Sequence, residues 1–168
     1  LSMAGQFITH LKVSFFSGII ISFPYALYEI WLFIKPGLYD TERKYSFMFA
    51  FSGLFLFLCG ISFAYFVITP ISMQFLINYS ISESITNTIS LENYIGFLSS
   101  LVLAGGILFE MPLFIYILTK VGLVNEKSLK EYRKHAVVII LFLSALITPP
   151  DVSSQIILSL PLLLLYEL

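Results

Sequence analysis

Charge is scarce in this sequence. Only 11% of its 168 residues are charged, against 58% that are hydrophobic. A soluble domain carries about 25% charged and about 45–50% apolar residues. Too few charges remain to coat a water-facing surface, so lipid is the expected solvent for much of the chain. A basic excess is missing as well. The formal net charge of −1 leaves no basic stripe to neutralise phosphates, which excludes nucleic acid as a partner. Cysteine is nearly absent: Cys59 stands alone, cannot form an internal disulfide and has no companions for a metal site. It reads as a small packing residue. His10 and His135 lie far apart, and neither an HExxH nor a Ser/His/Asp arrangement occurs, so no catalytic residue, metal or cofactor is expected. A cleavable signal peptide is also lacking, because Leu1 to His10 has neither a basic start nor a continuous apolar core. The sequence does not open on methionine and stops at Leu168 inside an apolar run. The expectation is a single transmembrane domain over residues 1–168, incomplete at both ends.

What is present is a set of five apolar stretches. Helix A is predicted over Val13 to Ile34, helix B over Tyr45 to Ile68 and helix C over Tyr94 to Thr119. Helix D, Ala136 to Ile147, and helix E, Ser153 to Leu168, are short. A span needs about 20 residues to cross about 30 Å of hydrocarbon. Helices A, B and C meet that length, whereas helix D would measure only about 18 Å and needs a thinned bilayer.

Basic residues cluster between A and B (Lys35, Arg43, Lys44) and between C and D (Lys120, Lys127, Lys130, Arg133, Lys134). The B–C loop, Thr69 to Asn93, and the D–E turn contain none. Basic residues stay cytoplasmic, so the A–B and C–D loops are assigned to the cytoplasm, Leu1 to the outer side and Leu168 to the inner side. Lys12 is the one basic residue on the opposite side. Prolines mark ends and breaks. Pro70 is expected to close helix B and Pro149-Pro150 helix D, while Pro24, Pro112 and Pro161 fall within spans. Gly53, Gly60 and Ala64 place small residues along one face of helix B, which permits close helix contact.

A charge inside a membrane costs about 2.5–3.5 kcal/mol on insertion scales. Glu110, inside helix C, is therefore a structural hydrogen-bonding group to a neighbouring helix, a polar site for a partner or substrate, or both. Glu29, near the cytoplasmic end of helix A, reads as an interfacial anchor that can snorkel or as part of such a site. Asp151 follows the paired prolines and is placed to cap helix E; Gln155, one turn later, needs a partner on another helix. Glu42 and Arg43 sit in a charged cytoplasmic loop. One functional class these residues leave open is a small-solute or ion transporter using Glu110 and Glu29 as membrane-embedded coupling carboxylates. Short final helices and the lack of an internal repeat weigh against the transporter.

Three segments together resemble the C-subunit family of the twin-arginine protein translocase. They are Pro24 to Tyr39 followed by Glu42-Arg43, Phe109-Glu110-Met111-Pro112, and Leu146-Ile147-Thr148-Pro149-Pro150-Asp151-Val152 with Gln155 beyond. The resemblance implies an all-α polytopic membrane protein of six spans, of which the five visible ones are the second to sixth. It implies a concave, bowl-like arrangement with two short final helices. The implied function is that of membrane core and signal-peptide receptor in Sec-independent export of folded proteins across the cytoplasmic (inner) membrane, driven by the proton gradient and not by an enzymatic step. By resemblance, Glu42, Arg43 and Phe33 bind the twin-arginine signal peptide, Glu110 and Glu29 form a polar site on the concave face, and Thr148 and Gln155 contact single-span partner subunits of A/B type. Glu29 departs from the glutamine common in relatives. The lipid bilayer and self-association complete the implied partners; no cofactor is implied.

Overall fold

The computed structural model describes residues 3–34, 46–79, 90–120 and 122–167. Among these, every regular element is helical. In lipid no water is present to satisfy backbone N–H and C=O groups, so an apolar chain must close its hydrogen bonds within each segment. The elements are α1 (Met3–Ile34), α2 (Ser46–Phe63), a π-helical turn (Ala64–Ile68), α3 (Thr69–Asn78), α4 (Leu91–Phe109), α5 (Met111–Lys120), α6 (Glu126–Glu131), α7 (Arg133–Ile147) and α8 (Val152–Glu167). Among the described residues, three stretches are long and apolar enough to cross a membrane: Gly5–Phe33, Phe51–Asn78 and Leu91–Lys120.

Several predicted boundaries need correction. Helix A begins ten residues before Val13, at Met3, because the polar side chains that interrupt its first turns are accommodated. Lys12 Nζ reaches Glu92 Oε1 at 3.0 Å, and Thr9 Oγ1 donates to Gly5 O. The wrong-side lysine is thus half of an ion pair joining α1 to the start of α4. Pro70 does not close helix B. The helix passes through it to Asn78, and much of the expected Thr69–Asn93 loop is helical. The π turn explains how. Pro70 offers no N–H and its ring crowds the preceding turn. Widening that turn lets the Thr69 N–H bond to Ala64 O and the Thr69 hydroxyl donate to the same oxygen at 2.8 Å. Helix C, expected as one element from Tyr94, begins at Leu91, capped by Ser90, and breaks at Glu110. Helix D begins at Arg133, before Ala136, and helix E runs Val152–Glu167. At 15 and 16 residues they measure about 22 and 24 Å, still below the bilayer core. The short α6 in the C–D loop was not expected.

The small face of helix B is where it meets helix C. A Cβ on Gly60 would lie 2.6 Å from the Gly105 carbonyl, and one on Gly105 would lie 2.5 Å from the Ala64 Cβ. The two backbones touch with nothing between them, as small residues allow in membranes. Phe23 of α1 stacks on Phe57 of α2 with centroids 3.7 Å apart. Around this contact a core of Ala64, Ile68, Leu101, Val102, Phe109, Ile140, Leu158 and Leu162 is buried. Large apolar side chains such as Phe15, Phe55, Phe66 and Phe142 point outward, the inverse of a water-facing surface and suited to lipid.

Gly60→Ala is expected to lose about 1–3 kcal/mol, because its methyl meets a backbone carbonyl that cannot move aside cheaply. Gly18→Ala, where nothing lies within 4 Å, is the control and should be neutral or slightly stabilising. Thermal unfolding in detergent compares the two.

At the far end of the bundle, Thr148 adopts φ −86°, ψ 156°, the extended geometry that a following proline demands. This ends α7 and turns the chain into α8, which packs back along it. The opposite end of that hairpin is tied twice. Arg133 pairs bidentately with Glu167, and Tyr166 Oη donates to Leu129 O at 2.9 Å.

Candidate functional site

The break at Glu110 is built by Pro112. Lacking an N–H, Pro112 removes one rung of the helical ladder. Glu110 settles at φ −76°, ψ −4° and its N–H bonds to Ile107 O, a tighter turn that closes α4. The helix restarts when Phe114 N donates to Glu110 O at 3.0 Å.

The Glu110 side chain is 8% exposed, and neither carboxyl oxygen has a hydrogen-bond partner among the described residues. It points at α2. A Cβ on Gly53 would lie 3.4 Å from Glu110 Oε2, 3.1 Å from Leu113 and 3.3 Å from Leu27. Gly53 therefore makes the room that the carboxyl fills, between two leucines. An unsatisfied buried polar group costs about 1–3 kcal/mol. The fold retains one here, at the junction of α1, α2 and the α4–α5 break.

Glu29 does not join it. Leu27 faces Gly53, and Glu29 lies two residues further, about 200° round the helix. Glu29 is exposed and interacts with Tyr25, one turn before it. Phe33 follows one turn later and is 85% exposed. Tyr25, Glu29 and Phe33 thus form one outward stripe of α1, ending just before residues 35–45. That i, i+4, i+8 spacing is legible in the sequence. Trp31, between them, is buried instead. Glu42 and Arg43 lie outside the described residues.

Thr148 and Gln155 do not form one exposed patch. Thr148 is buried, and its hydroxyl donates to Ser144 O at 2.8 Å. Gln155, half-buried on α8, donates through Nε2 to Leu141 O of α7 at 3.1 Å. Its amide therefore bonds the two short helices to each other. Asp151 caps α8, accepting from Ser153 N at 3.1 Å and Ser154 N at 2.8 Å, with the Ser154 hydroxyl on the same carboxylate. The Ser154 hydroxyl, then the N–H groups of Ser154 and Ser153, hold its carboxyl below the usual carboxylate range. A carboxyl lowered in the folded state contributes stability above its unfolded value, and that contribution disappears as pH falls through the lower folded value. Asp151→Ala is expected to lose about 1 kcal/mol near neutral pH. The deficit should vanish in acid, where the wild-type carboxyl is protonated; melting temperatures at both pH values check this.

Sequence reasoning also missed Ser72 and Ser144, whose buried hydroxyls have no partner among the described residues. Nothing local distinguishes them from serines that bond back to their own helix. Among the described residues, no group of three or more His, Cys, Asp or Glu is placed to hold a metal ion.

Residues 1–161 match the family profile described as Sec-independent protein translocase protein (TatC). The Sec-independent protein translocase protein TatC of Helicobacter pylori is 44% identical over 158 residues, covering 94% of this chain and 63% of the relative. The protein of the same name from Desulforapulum autotrophicum is 41% identical over 162 residues, covering 96% of this chain and 60% of its own length. The chain thus spans less than two thirds of the length of these curated relatives. The crystal structure of a twin arginine translocase receptor, TatC, in the detergent DDM superposes with a TM-score of 0.80 at 38% identity, covering 99% of this chain and 74% of that one.

Proposed function

The chain belongs to the Sec-independent protein translocase (TatC) family, and from that premise we propose that it forms the membrane core of a twin-arginine translocase and receives the signal peptides of folded cargo. It is a multi-pass membrane protein on the same ground. The observation that carries the functional reading is Glu110. A carboxyl buried where three helical segments meet, with both oxygens unpaired among the described residues, is a poor structural element and a good acceptor for a polar group brought by another helix.

In this reading α1, α2–α3, α4–α5, α7 and α8 are the second to sixth spans of six, arranged as a bowl whose concave side carries Glu110. The A–B loop and the segment around α6 lie in the cytoplasm, Leu1 outside and Leu168 inside. Five basic residues lie from Lys120 to Lys134, at the end of the bundle where Tyr166 and Glu167 are tied down. Lys12, the exception, has its charge matched by Glu92. Glu42 accepts the guanidinium groups of the signal peptide, with Arg43 beside it. The exposed stripe of Tyr25, Glu29 and Phe33 continues that surface along α1. Gln155 and the α7–α8 hairpin receive the single-span partner subunits, a contact that requires the Gln155 amide to leave Leu141 or Thr148 to turn outward. Self-association and a bilayer thinned beside α7 and α8 complete the assembly. Nothing in this role requires a chemical step.

Export of a folded reporter carrying a twin-arginine signal tests the proposal. In cells whose own C subunit is deleted, the protein should restore export of that reporter and not of its twin-lysine counterpart. Equal export of both would overturn it.

A further inference from the structure

The Lys12–Glu92 ion pair plays no part in the recognition surface described above. Its ammonium and carboxylate are 3.0 Å apart, and the two side chains keep 37% and 33% exposure. The Lys12 ammonium also lies close to Gly96, where a Cβ would be 3.7 Å from Nζ, so the pair lies flat on the start of α4. Directly beyond it opens a crevice of about 250 Å3 between α1 and α4, backed by the π turn. Val13 and Ile95 line it beside the pair, Phe16 lies a turn deeper, Val102 is at the inner end, and Tyr65 reaches in from the π turn. Because α1 and α4 run parallel from this ion pair, the crevice follows both helices for about seven residues, or roughly 10 Å. That is most of one leaflet's hydrocarbon, about 15 Å.

An apolar slot of this length, opening at a membrane surface beneath a positive and a negative side chain, has the form of a lipid. We infer that the crevice holds one acyl chain of a zwitterionic phospholipid bearing a primary amine, with the lipid's headgroup seated on the Lys12–Glu92 pair. The phosphate sits against the Lys12 ammonium and the lipid ammonium against the Glu92 carboxylate. The four charges then alternate in sign, and each gains a neighbour of opposite sign without breaking the existing pair. A quaternary amine has no N–H to donate to Glu92, and a glycerol headgroup has no cation. The inference rests on the membrane placement proposed above and not on signal-peptide recognition.

The test is lipid binding by the purified protein, read by native mass spectrometry with phosphatidylethanolamine, phosphatidylcholine and phosphatidylglycerol of matched chains. Phosphatidylethanolamine should bind about tenfold more tightly than the other two, the worth of one charge-assisted hydrogen bond at a half-exposed site. Glu92→Gln should erase its advantage over phosphatidylcholine, and Lys12→Gln should weaken all three. Ser99→Phe fills the crevice without touching the pair and should also weaken all three. A photo-crosslinker at position 99 should capture lipid. Equal affinity of the wild type for the three lipids, unchanged binding by Ser99→Phe, or capture of a protein helix at position 99 would each overturn the inference. Twin-arginine peptide binding, measured on the same samples, separates the two readings. Its loss with the lipid pattern intact sinks the proposed function alone, and the reverse sinks the crevice alone.

Discussion

Glu42→Gln is expected to weaken binding of a twin-arginine peptide by roughly ten- to over a hundredfold, the loss of one charge-assisted hydrogen bond worth about 1.5–3 kcal/mol. Two neighbours, Arg43 and Lys44, repel the incoming guanidinium groups, so a favourable contact there depends on a carboxylate. Arginine presents a planar fork that matches a carboxylate bidentately, whereas lysine is a point charge. Gln keeps the size of the side chain and removes the charge, so it isolates the electrostatic part. Glu42→Asp should fall between, because the shorter side chain misplaces the fork. Folding should not change in either variant. Affinity for labelled peptide in detergent measures the effect, and wild-type affinity in Glu42→Gln would reduce the residue to a solvated loop charge.

Glu110→Ala is expected to abolish or severely reduce export while leaving stability equal to or above wild type. The two readouts move apart for a physical reason. As a structural residue, Glu110 should stabilise the bundle; instead its carboxyl is buried with no partner among the described residues, and removing it relieves a cost of about 1–3 kcal/mol. Truncation leaves a small void beside Gly53, which offsets part of that gain. Glu110→Gln keeps a hydrogen-bonding group in the same place, so it should retain more export than Glu110→Ala. Parallel export and thermal-unfolding measurements decide it. Normal export by Glu110→Ala would remove the residue from the site, and a large stability loss would make it a structural group.

The features legible in the sequence were those set by short-range chemistry. The paired prolines ended helix D, Asp151 lay where a cap belongs, and the Gly60–Ala64 face marked where two helices touch. The misreadings had long-range or compensated causes. Lys12 interrupts an apolar run, and the start of helix A is understood only once Glu92, eighty residues away, is seen beside it. Pro70 is a sound stop signal, but a threonine before it and a widened turn carried the helix onward. Pro112 was visible, yet its consequence, a break at Glu110 that aims an unpaired carboxyl at Gly53, required the position of α2. Glu29 and Glu110 share a charge type and a predicted role. Helical geometry separates them, because Glu29 lies on the face opposite Leu27. That separation also weakens the coupled-carboxylate transporter.

The most direct test of the receptor role is the affinity of the purified protein for a twin-arginine signal peptide and for the same peptide with both arginines replaced by lysine. The bidentate contact at Glu42 predicts at least tenfold tighter binding of the arginine form, with the difference lost in Glu42→Gln. Equal affinity for the two peptides would contradict the account.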